Sequence, residues 1–292
     1  MNGILNLDKP RRLTSHDVVN RVRQVARQRR VGHAGTLDPL ATGVLVVCLG
    51  QATRLVEYLV DSPKQYRARV RLGQETDTYD VEGVVVAERP VAVDRAELED
   101  ALSSFHGPIL QVPPMYSAVR HRGRRLYDLA RQGIEVPRQP RPVEIERLTL
   151  QDWAPPEFTL EVTCSPGTYI RSLAHDLGRQ LGCGAHLVSL VRLASGDFHL
   201  QDALPLDSLT PARLPSQLLP MDAALQRYPA LELDEQEARA VQSGQAVSAA
   251  AAAADGAVAR AYGPAGGLLA VMVYQADRGA WQPRKVLAQE AR

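Results

Sequence analysis

Cysteine is scarce in this 292-residue chain, which contains three. Cys48, Cys164 and Cys183 are odd in number and lie far apart, which excludes a disulfide framework and favours buried or free thiols in a reducing compartment. Cys183 and His186 have half of the spacing of a zinc site, but the sequence has no second half, so a zinc site is also excluded.

Long hydrophobic segments are absent as well. No stretch approaches the ~20 apolar residues that a membrane helix needs, and residues 1–10 do not have the layout of a signal peptide. The chain is nevertheless long enough to bury a sizeable core. These features predict a globular, cytoplasmic protein that does not enter the membrane.

The chain also has little net charge, +1 at pH 7, so its overall electrostatics do not indicate a nucleic-acid binder. The distribution of charge is more informative, because residues 11–30 contain seven arginines against one acidic residue, and residues 120–141 contain seven against two. Two basic blocks on a neutral chain predict a local surface that follows phosphates. Two solvated helix faces would give the same pattern, so both interpretations stay open here.

Apolar periodicity predicts helices and strands in irregular alternation. Tyr66–Leu72 alternates between apolar residues and arginines, as in a strand with one buried face. Ser15 is the expected N-cap of a helix that runs to about Gln28, with Val18, Val22, Val25 and Ala26 on its apolar face. Further helices are expected at Asp94–Ser104, Gly123–Gly133 and Thr168–Leu181, and further strands at Gly3–Leu7, Val44–Leu49, Phe158–Cys164 and Ala194–Leu200.

The order of these elements predicts the fold class. They lack a regular βαβ rhythm, and two-faced strands favour antiparallel pairing. We therefore expect an α+β fold with a mixed, mostly antiparallel sheet. A boundary is expected near Tyr228, after a proline-rich stretch, and Gly256–Leu287 is typical of short strands joined by glycine turns. The low-complexity run Ala249–Ala254 is expected to be a loop or a short helix.

One loop concentrates chemically useful side chains. Residues 31–43, VGHAGTLDPLATG, contain one histidine, one carboxylate, two hydroxyls and three glycines, directly after the first basic block. A glycine-rich loop that contains proline positions the carboxylate of Asp38. From residue types alone, an Asp-Pro turn at the surface explains this loop as well.

Further motifs accompany this loop along nearly the whole chain. They are Leu7–Pro10 with Thr14–Ser15, Tyr66 with Leu72–Thr78, Pro114–Ala118, Gly167–Leu173 and Leu181–Leu187. In this order they resemble the TruB family of bacterial tRNA pseudouridine synthases. A single motif would be a weak signal, whereas the ordered set is highly specific. The C-terminal residues resemble, less closely, a PUA-type RNA-binding domain.

The resemblance implies a fold, an activity and a partner. Residues 1–228 would form the catalytic domain of the pseudouridine synthase type, and residues 229–292 a small, β-rich, PUA-like domain. The implied activity is the isomerisation of uridine to pseudouridine at position 55 in the T-loop of tRNA, by a monomer that needs no cofactor, metal or guide RNA. The partner is the T-arm of tRNA, from which the target nucleotide must be flipped out.

The resemblance also assigns roles to individual residues. Asp38 matches the nucleophile of the family, Arg171 matches the arginine that pairs with it, and Tyr66 matches the active-site tyrosine. The residues implied to bind the substrate are His33, Tyr169, Leu190 and, in a basic clamp at about residues 118–142, Arg122, Arg124 and Arg125. Without the resemblance, Leu190 would be assigned to the core, Arg171 to an exposed helix face and His33 to a structural role.

Two alternatives to the stand-alone enzyme stay open. The first is a non-catalytic tRNA-binding or tRNA-folding protein on the same scaffold, although such a protein needs none of Asp38, Tyr66 and Arg171. The second is a synthase that depends on a guide RNA, but the short C-terminal domain and the second basic block favour the stand-alone form.

The sequence departs from the family pattern at three positions. Arg12 stands where the family usually has glycine, Arg120 where lysine is common, and Val191 where an arginine is usual. The first departure predicts an altered turn, and the third predicts the loss of one phosphate or structural contact.

Overall fold

A computed structural model describes residues 1–248 and 252–287 of the chain. The helices are α1 (Ser15–Ala26), α2 (Val56–Val60), α3 (Arg95–Ser103), α4 (Leu126–Ala130), α5 (Ile170–Gln180), α6 (Leu214–Gln217) and α7 (Glu235–Gln242). Strands β1–β10 are Gly3–Lys9, Val31–Ala34, Thr42–Leu49, Lys64–Leu72, Gln74–Thr76, Val85–Glu88, Gly107–Gln111, Arg120–His121, Arg124–Arg125 and Arg141–Ala154. Strands β11–β19 are Glu157–Cys164, Ala185–Ser195, Phe198–His199, Leu204–Pro205, Ala230–Glu232, Val247–Ser248, Val258–Tyr262, Leu268–Gln275 and Ala280–Val286.

A large mixed sheet forms the centre of the structure. Its main path has the strand order β14–β1–β3–β12–β4–β11–β10–β7. The pairs β1–β14 and β3–β12 are parallel, whereas β1–β3, β4–β12, β4–β11, β10–β11 and β7–β10 are antiparallel. The expected α+β fold with a mixed, mostly antiparallel sheet is therefore confirmed.

The two longest helices, α1 and α5, pack on this sheet, and α1 does so through the face that its sequence predicts. The valines of α1 are buried in one cluster with apolar residues of β1 and β3, while α5 and α3 share another with β4, β11 and β12. Strand β4 buries alternate residues from Tyr66 to Leu72, as expected. Its outward arginines, Arg67, Arg69 and Arg71, form ion pairs with Glu157 and Glu161 of β11.

The start of α1 differs from the expectation. Thr14, not Ser15, is the N-cap, and it forms a capping box with Asp17. Ser15 is buried instead, where its hydroxyl donates to the Leu37 carbonyl (3.0 Å) and accepts from the Leu37 amide (2.8 Å). The helix also ends at Ala26, because Arg27 adopts a left-handed conformation with φ of 50°.

Tight turns interrupt two other expected elements. The helix expected at Gly123–Gly133 is shorter, because Arg122 and Gly123 have positive φ and form a two-residue turn between β8 and β9. The strand expected at Ala194–Leu200 folds back on itself, since β13 pairs with the end of β12. The long strand β12 (Ala185–Ser195) was not predicted over most of its length, because a central strand lacks a clear two-faced alternation.

A smaller sheet, with the order β15–β17–β18–β19–β16, contains the short C-terminal strands that the sequence predicts. Leu268, Val271 and Leu287 belong to the same buried cluster as Ile4 and Val44 of the large sheet. The expected loop or short helix at Ala249–Ala254 lies in part outside the described residues. Within residues 1–248 and 252–287, no helix is long and apolar enough to cross a membrane.

The turn after β1 shows what the departure at Arg12 does. Arg12 has φ of 72°, a left-handed conformation that glycine adopts without strain. Its amide donates to the carbonyl of Pro39 (2.8 Å), so the turn is fixed against the loop that carries Asp38. The arginine therefore keeps this backbone conformation at a cost in strain.

We expect Arg12→Gly to stabilise the protein by about 0.5–1 kcal/mol, since removal of the left-handed strain outweighs the greater chain entropy of glycine. Arg11→Gly is the control, because Arg11 does not have positive φ, and it should be slightly destabilising. Denaturant unfolding of both variants measures the difference. Equal destabilisation by both would contradict a strained Arg12.

Candidate active site

The loop that carries Asp38 connects β2 to β3 and is held by hydrogen bonds from residues that follow β1. Ser15 holds Leu37 through the two hydrogen bonds described above, and the Arg12 amide holds Pro39. Lys9 is fully buried beneath the loop, where its ammonium donates to the carbonyls of Leu13 (2.7 Å) and Pro10 (3.0 Å). Burial lowers the pKa of Lys9 to about 8. The loop is therefore positioned on a rigid base.

Asp38 forms an ion pair with Arg171 of α5. Its Oδ2 lies 2.9 Å from Nη2 of Arg171, whose side chain is 5% exposed, while the Asp38 side chain is 39% exposed. The guanidinium also donates to the carbonyls of Tyr116 (2.7 Å) and Thr78 (3.1 Å). Because these two hydrogen bonds tie the guanidinium to the backbone, Arg171 fixes the position of the Asp38 carboxylate.

A second carboxylate, which the sequence analysis did not single out, lies behind Arg171. Oδ2 of Asp80 is 3.5 Å from Nη1 of Arg171, and Asp80 is buried. Its Oδ1 accepts from the Thr78 hydroxyl (2.7 Å) and the Glu82 amide (3.0 Å). Burial raises the pKa of Asp80, and the hydrogen bond from Thr78 and the charge of Arg171 oppose that shift.

A cavity of about 240 Å³ opens beside Asp38. Of the residues that the resemblance singles out, it is lined by Asp38, Tyr66, Tyr169, Arg171 and Leu190. These residues come from the β2–β3 loop, β4, the start of α5 and β12, so only the folded sheet brings them together. Tyr66 and Leu190 are buried. The result is a half-enclosed space with one carboxylate, two aromatic rings and an apolar wall.

The two tyrosines of the cavity are held in different ways. Tyr66 lies on β4, and burial raises the pKa of its phenol, while the charge of Arg192 opposes that shift. Tyr169 precedes α5, and the amide of Gln111 forms two hydrogen bonds with its backbone, at 2.7 and 3.0 Å. Gln111 is itself buried. Tyr66 is therefore held by burial, and Tyr169 by the hydrogen bonds of its backbone.

His33 and the three arginines of the basic clamp, Arg122, Arg124 and Arg125, do not line the cavity. His33 lies on β2 beside the loop, where burial and the charge of Arg192 lower the pKa of its imidazole. Arg122, Arg124 and Arg125 are exposed on the β8–β9 turn and on β9. This segment has a small core of its own, formed by Met115, Leu126 and Leu129.

Sequence reasoning missed four buried polar residues around the site. Lys64 and Arg192 line the cavity, Asp80 contacts Arg171, and Gln111 holds Tyr169. Arg192 interrupts the apolar run Leu190–Ala194, and this single charge in a strand is a signal that could have pointed to it. The other three have no comparable local signal.

Comparisons with known proteins agree with this architecture. The sequence model of a family described as TruB family pseudouridylate synthase (N terminal domain) matches residues 23–170, and that of the tRNA pseudouridylate synthase B C-terminal domain matches residues 171–226. The chain is 45% identical to the tRNA pseudouridine synthase B of Dehalococcoides mccartyi, over 100% of this chain and 98% of that protein. It is 43% identical to that of Methylobacillus flagellatus, over 99% and 96%.

Solved structures show the same fold. A chain from the structure of an H/ACA RNP bound to a substrate RNA containing 2′-deoxyuridine has a TM-score of 0.75 at 24% identity, over 98% of this chain and 85% of that chain. A chain from a Cbf5–Nop10–Gar1 complex has a TM-score of 0.75 at 25% identity, over 98% and 84%. With a family match over half of its length and relatives at this level of identity over nearly all of it, the chain belongs to the TruB family of pseudouridylate synthases.

Proposed function

We propose that this protein isomerises uridine to pseudouridine at position 55 in the T-loop of tRNA, with no guide RNA and no cofactor. The observation that carries the proposal is the Asp38–Arg171 ion pair at the wall of a cavity lined by two tyrosines, in a chain of this family. The reaction breaks the bond between C1′ and N1, turns the base, and joins C5 to C1′. It supplies no group and changes no oxidation state, so one positioned carboxylate in a shielded pocket is sufficient.

Asp38 is the nucleophile in this proposal. A carboxylate can attack carbon, or stabilise an electron-poor sugar carbon as in glycosidases. Attack on the base, attack on C1′, and removal of the C2′ proton all use the same oxygen atoms. In each route, Arg171 acts by fixing the direction of the carboxylate, because its own hydrogen bonds tie it to the protein backbone.

The remaining residues bind the flipped nucleotide and its surroundings. Tyr66 and Tyr169 stack on the base, and Leu190 provides an apolar wall. His33, beside the loop, fills the space that the flipped base leaves in the T-loop. Residues 1–228 form the catalytic domain and residues 229–292 a PUA-like RNA-binding domain, and the protein acts as a cytoplasmic monomer.

Tritium release tests the proposal directly. Joining C5 to C1′ expels the hydrogen of C5, so tRNA labelled with tritium on uridine C5 should release tritium when the protein alone is added. A tRNA with cytidine at position 55, labelled in the same way at its other uridines, should release none. No release from either tRNA, with binding intact, would leave the tRNA-binding or tRNA-folding alternative, and release from both would refute position 55.

The basic clamp gives a prediction about binding. If Arg122, Arg124 and Arg125 contact phosphates, their joint replacement by alanine should lower the slope of log affinity against log salt by roughly one unit for each contact. Binding of tRNA over a range of salt concentrations measures the slope.

The matched control is the joint replacement of Arg67, Arg69 and Arg71 by alanine. This variant changes the net charge equally, but its arginines lie on β4 and are paired with glutamates of β11. Its slope of log affinity against log salt should be the same as that of the parent. Equal slopes for the parent and the clamp variant would remove the clamp from the RNA interface.

A further inference from the structure

Arg192 is the largest fully buried side chain in the described part of the chain, at 1% exposure. It lies in β12 and lines the cavity beside Asp38. Its Nε donates to the Val44 carbonyl (2.6 Å) and its Nη2 to the Gly35 carbonyl (3.2 Å), and its guanidinium also interacts with the Tyr66 hydroxyl. Within residues 1–248 and 252–287, no carboxylate lies within 4.0 Å of it. Arg192 is therefore a buried charge without a counter-charge.

Two lysines share this property. Lys64 is buried at the cavity wall, where its ammonium donates to the carbonyls of Leu59, Val60 and Ser62, and Lys9 is buried beneath the loop. Neither forms an ion pair with a carboxylate of the described residues. Burial lowers the pKa of Lys9 and of Lys64; the charge of Arg192 lowers both further, and the charge of Asp38 opposes the shift at Lys9. The nearest carboxylate of the cavity, Asp38, is already paired with Arg171.

An unpaired buried charge is expensive. Its desolvation costs several kcal/mol, and carbonyl dipoles offset only part of this cost. Preorganised positive charge lowers a reaction barrier when negative charge develops next to it in the transition state. An anion that forms in the cavity during the reaction would supply the missing negative charge.

The proposed reaction creates such an anion. When the C1′–N1 bond breaks, both electrons stay with the base, and the uracil carries a negative charge spread over N1 and its two carbonyl oxygens. C1′ is left electron-poor, and the Asp38 carboxylate stabilises it, either through its charge or by a bond to C1′ that breaks again, with both electrons returning to the carboxylate, when C5 attacks. C5 then bonds to C1′, N1 gains a proton and C5 loses one, so atoms and charges balance without a further reactant.

We infer that Arg192, assisted by Lys64, stabilises the negative charge of the detached uracil. This inference rests on the proposed function and adds a catalytic residue to it. The flipped base enters the cavity between Asp38 and these two cations. The positive wall then favours breakage of the C1′–N1 bond and holds the base while it turns.

A change of leaving group tests this role. Fluorine at C5 withdraws electrons and stabilises an anionic base, so a tRNA with 5-fluorouridine only at position 55 needs less help from Arg192. On uridine, Arg192→Met should lower the single-turnover rate of base conversion roughly 100-fold, as the loss of one preorganised donor does. On 5-fluorouridine the loss should be smaller by about threefold or more, since rate follows leaving-group acidity. Nucleoside analysis of digested tRNA measures conversion of uridine and consumption of 5-fluorouridine.

Two controls separate charge from structural support. Arg192→Lys keeps the positive charge. Its loss of rate should therefore be smaller than that of Arg192→Met, and it should be equal on both substrates. Ser15→Ala weakens the support of the Asp38 loop without changing the charge of the cavity, so its loss should also be equal on both. If Arg192→Met does not fold, the loss of rate on the two substrates is compared for Arg192→Gln instead. The same comparison for Lys64→Met tests the other cation.

Each outcome decides the question. A loss for Arg192→Met that is the same on both substrates would overturn the inference and leave Arg192 as a support of the loop. Failure of the parent to convert uridine would instead refute the proposed function. Because the parent is measured in the same experiment, the two failures are distinguishable.

Discussion

Asp38→Asn should abolish the release of tritium from uridine-labelled tRNA, with a loss of at least roughly 10⁴-fold, the scale expected when a nucleophile is removed. Asparagine has nearly the same shape, so the loop keeps its conformation, but the amide is a poor nucleophile. Its contact with Arg171, now 2.9 Å, changes from an ion pair to a neutral hydrogen bond. Affinity for tRNA should stay close to that of the parent, because we propose that the basic clamp, and not Asp38, contacts the phosphates.

Asp176→Asn is the matched control for this variant. Asp176 is the carboxylate of α5; it lies outside the cavity, and burial raises its pKa to about 6. Asp176→Asn should therefore fold like the parent and release tritium at the same rate. Tritium release by Asp38→Asn at a rate near that of the parent would show that another group is the nucleophile. Loss of tRNA binding as well would point to misfolding of the loop.

Gly43→Ala should destabilise the protein by at least about 3 kcal/mol, which lowers Tm by roughly 6–12 °C. Gly43 is the second residue of β3, just after the Asp38 loop, and has φ of 95°. A Cβ at this position would lie 2.3 Å from the carbonyl oxygen and 2.8 Å from the amide nitrogen of Arg192. Because both atoms belong to the backbone of a central strand, neither can move aside without opening the sheet below the cavity.

Gly107→Ala separates the clash from the backbone conformation. Gly107 also has positive φ, at 84°, but a Cβ there would meet nothing within 4 Å. Its replacement should cost about 1–2 kcal/mol, the strain of the left-handed conformation alone. Thermal unfolding of both variants compares the two effects. Equal losses would mean that β3 and β12 approach less closely than the structure describes.

The fold could be predicted where local patterns decide it. The valines of α1 and the alternation of β4 are properties of short windows of sequence, and both were found where expected. The prediction was wrong where two neighbouring residues compete for one role, as at the N-cap of α1. Thr14 caps the helix, and Ser15 is buried, where it forms a hydrogen bond with the backbone of Leu37. Likewise, the turn at Arg122 depends on a left-handed arginine that no local rule favours.

The candidate site could be predicted only in part, for a physical reason. The loop at Asp38 has a recognisable composition, and the resemblance to a family supplied its partner on α5. The buried cations could not be found in this way, because a lysine or arginine is assigned to the surface unless its surroundings are known. Lys64 and Arg192 are buried by the pairing of β4 with β12, which joins distant parts of the chain.

The position of β12 has a consequence for the synthesis of the protein. β3 and β4 are made early, but their common neighbour β12 ends at Ser195. Until that residue has left the ribosome, one edge of β4 is unpaired, and so is the start of β3 at Thr42 and Gly43, whereas β2 already pairs with Val46–Leu49 of β3. An unpaired edge is the kind of surface that invites wrong pairing during folding. Because β12 also supplies Leu190 and Arg192 to the cavity, a nascent chain that ends before it has Asp38 and Tyr66 but no enclosed pocket. The cavity is thus completed late, when the middle of the sheet closes.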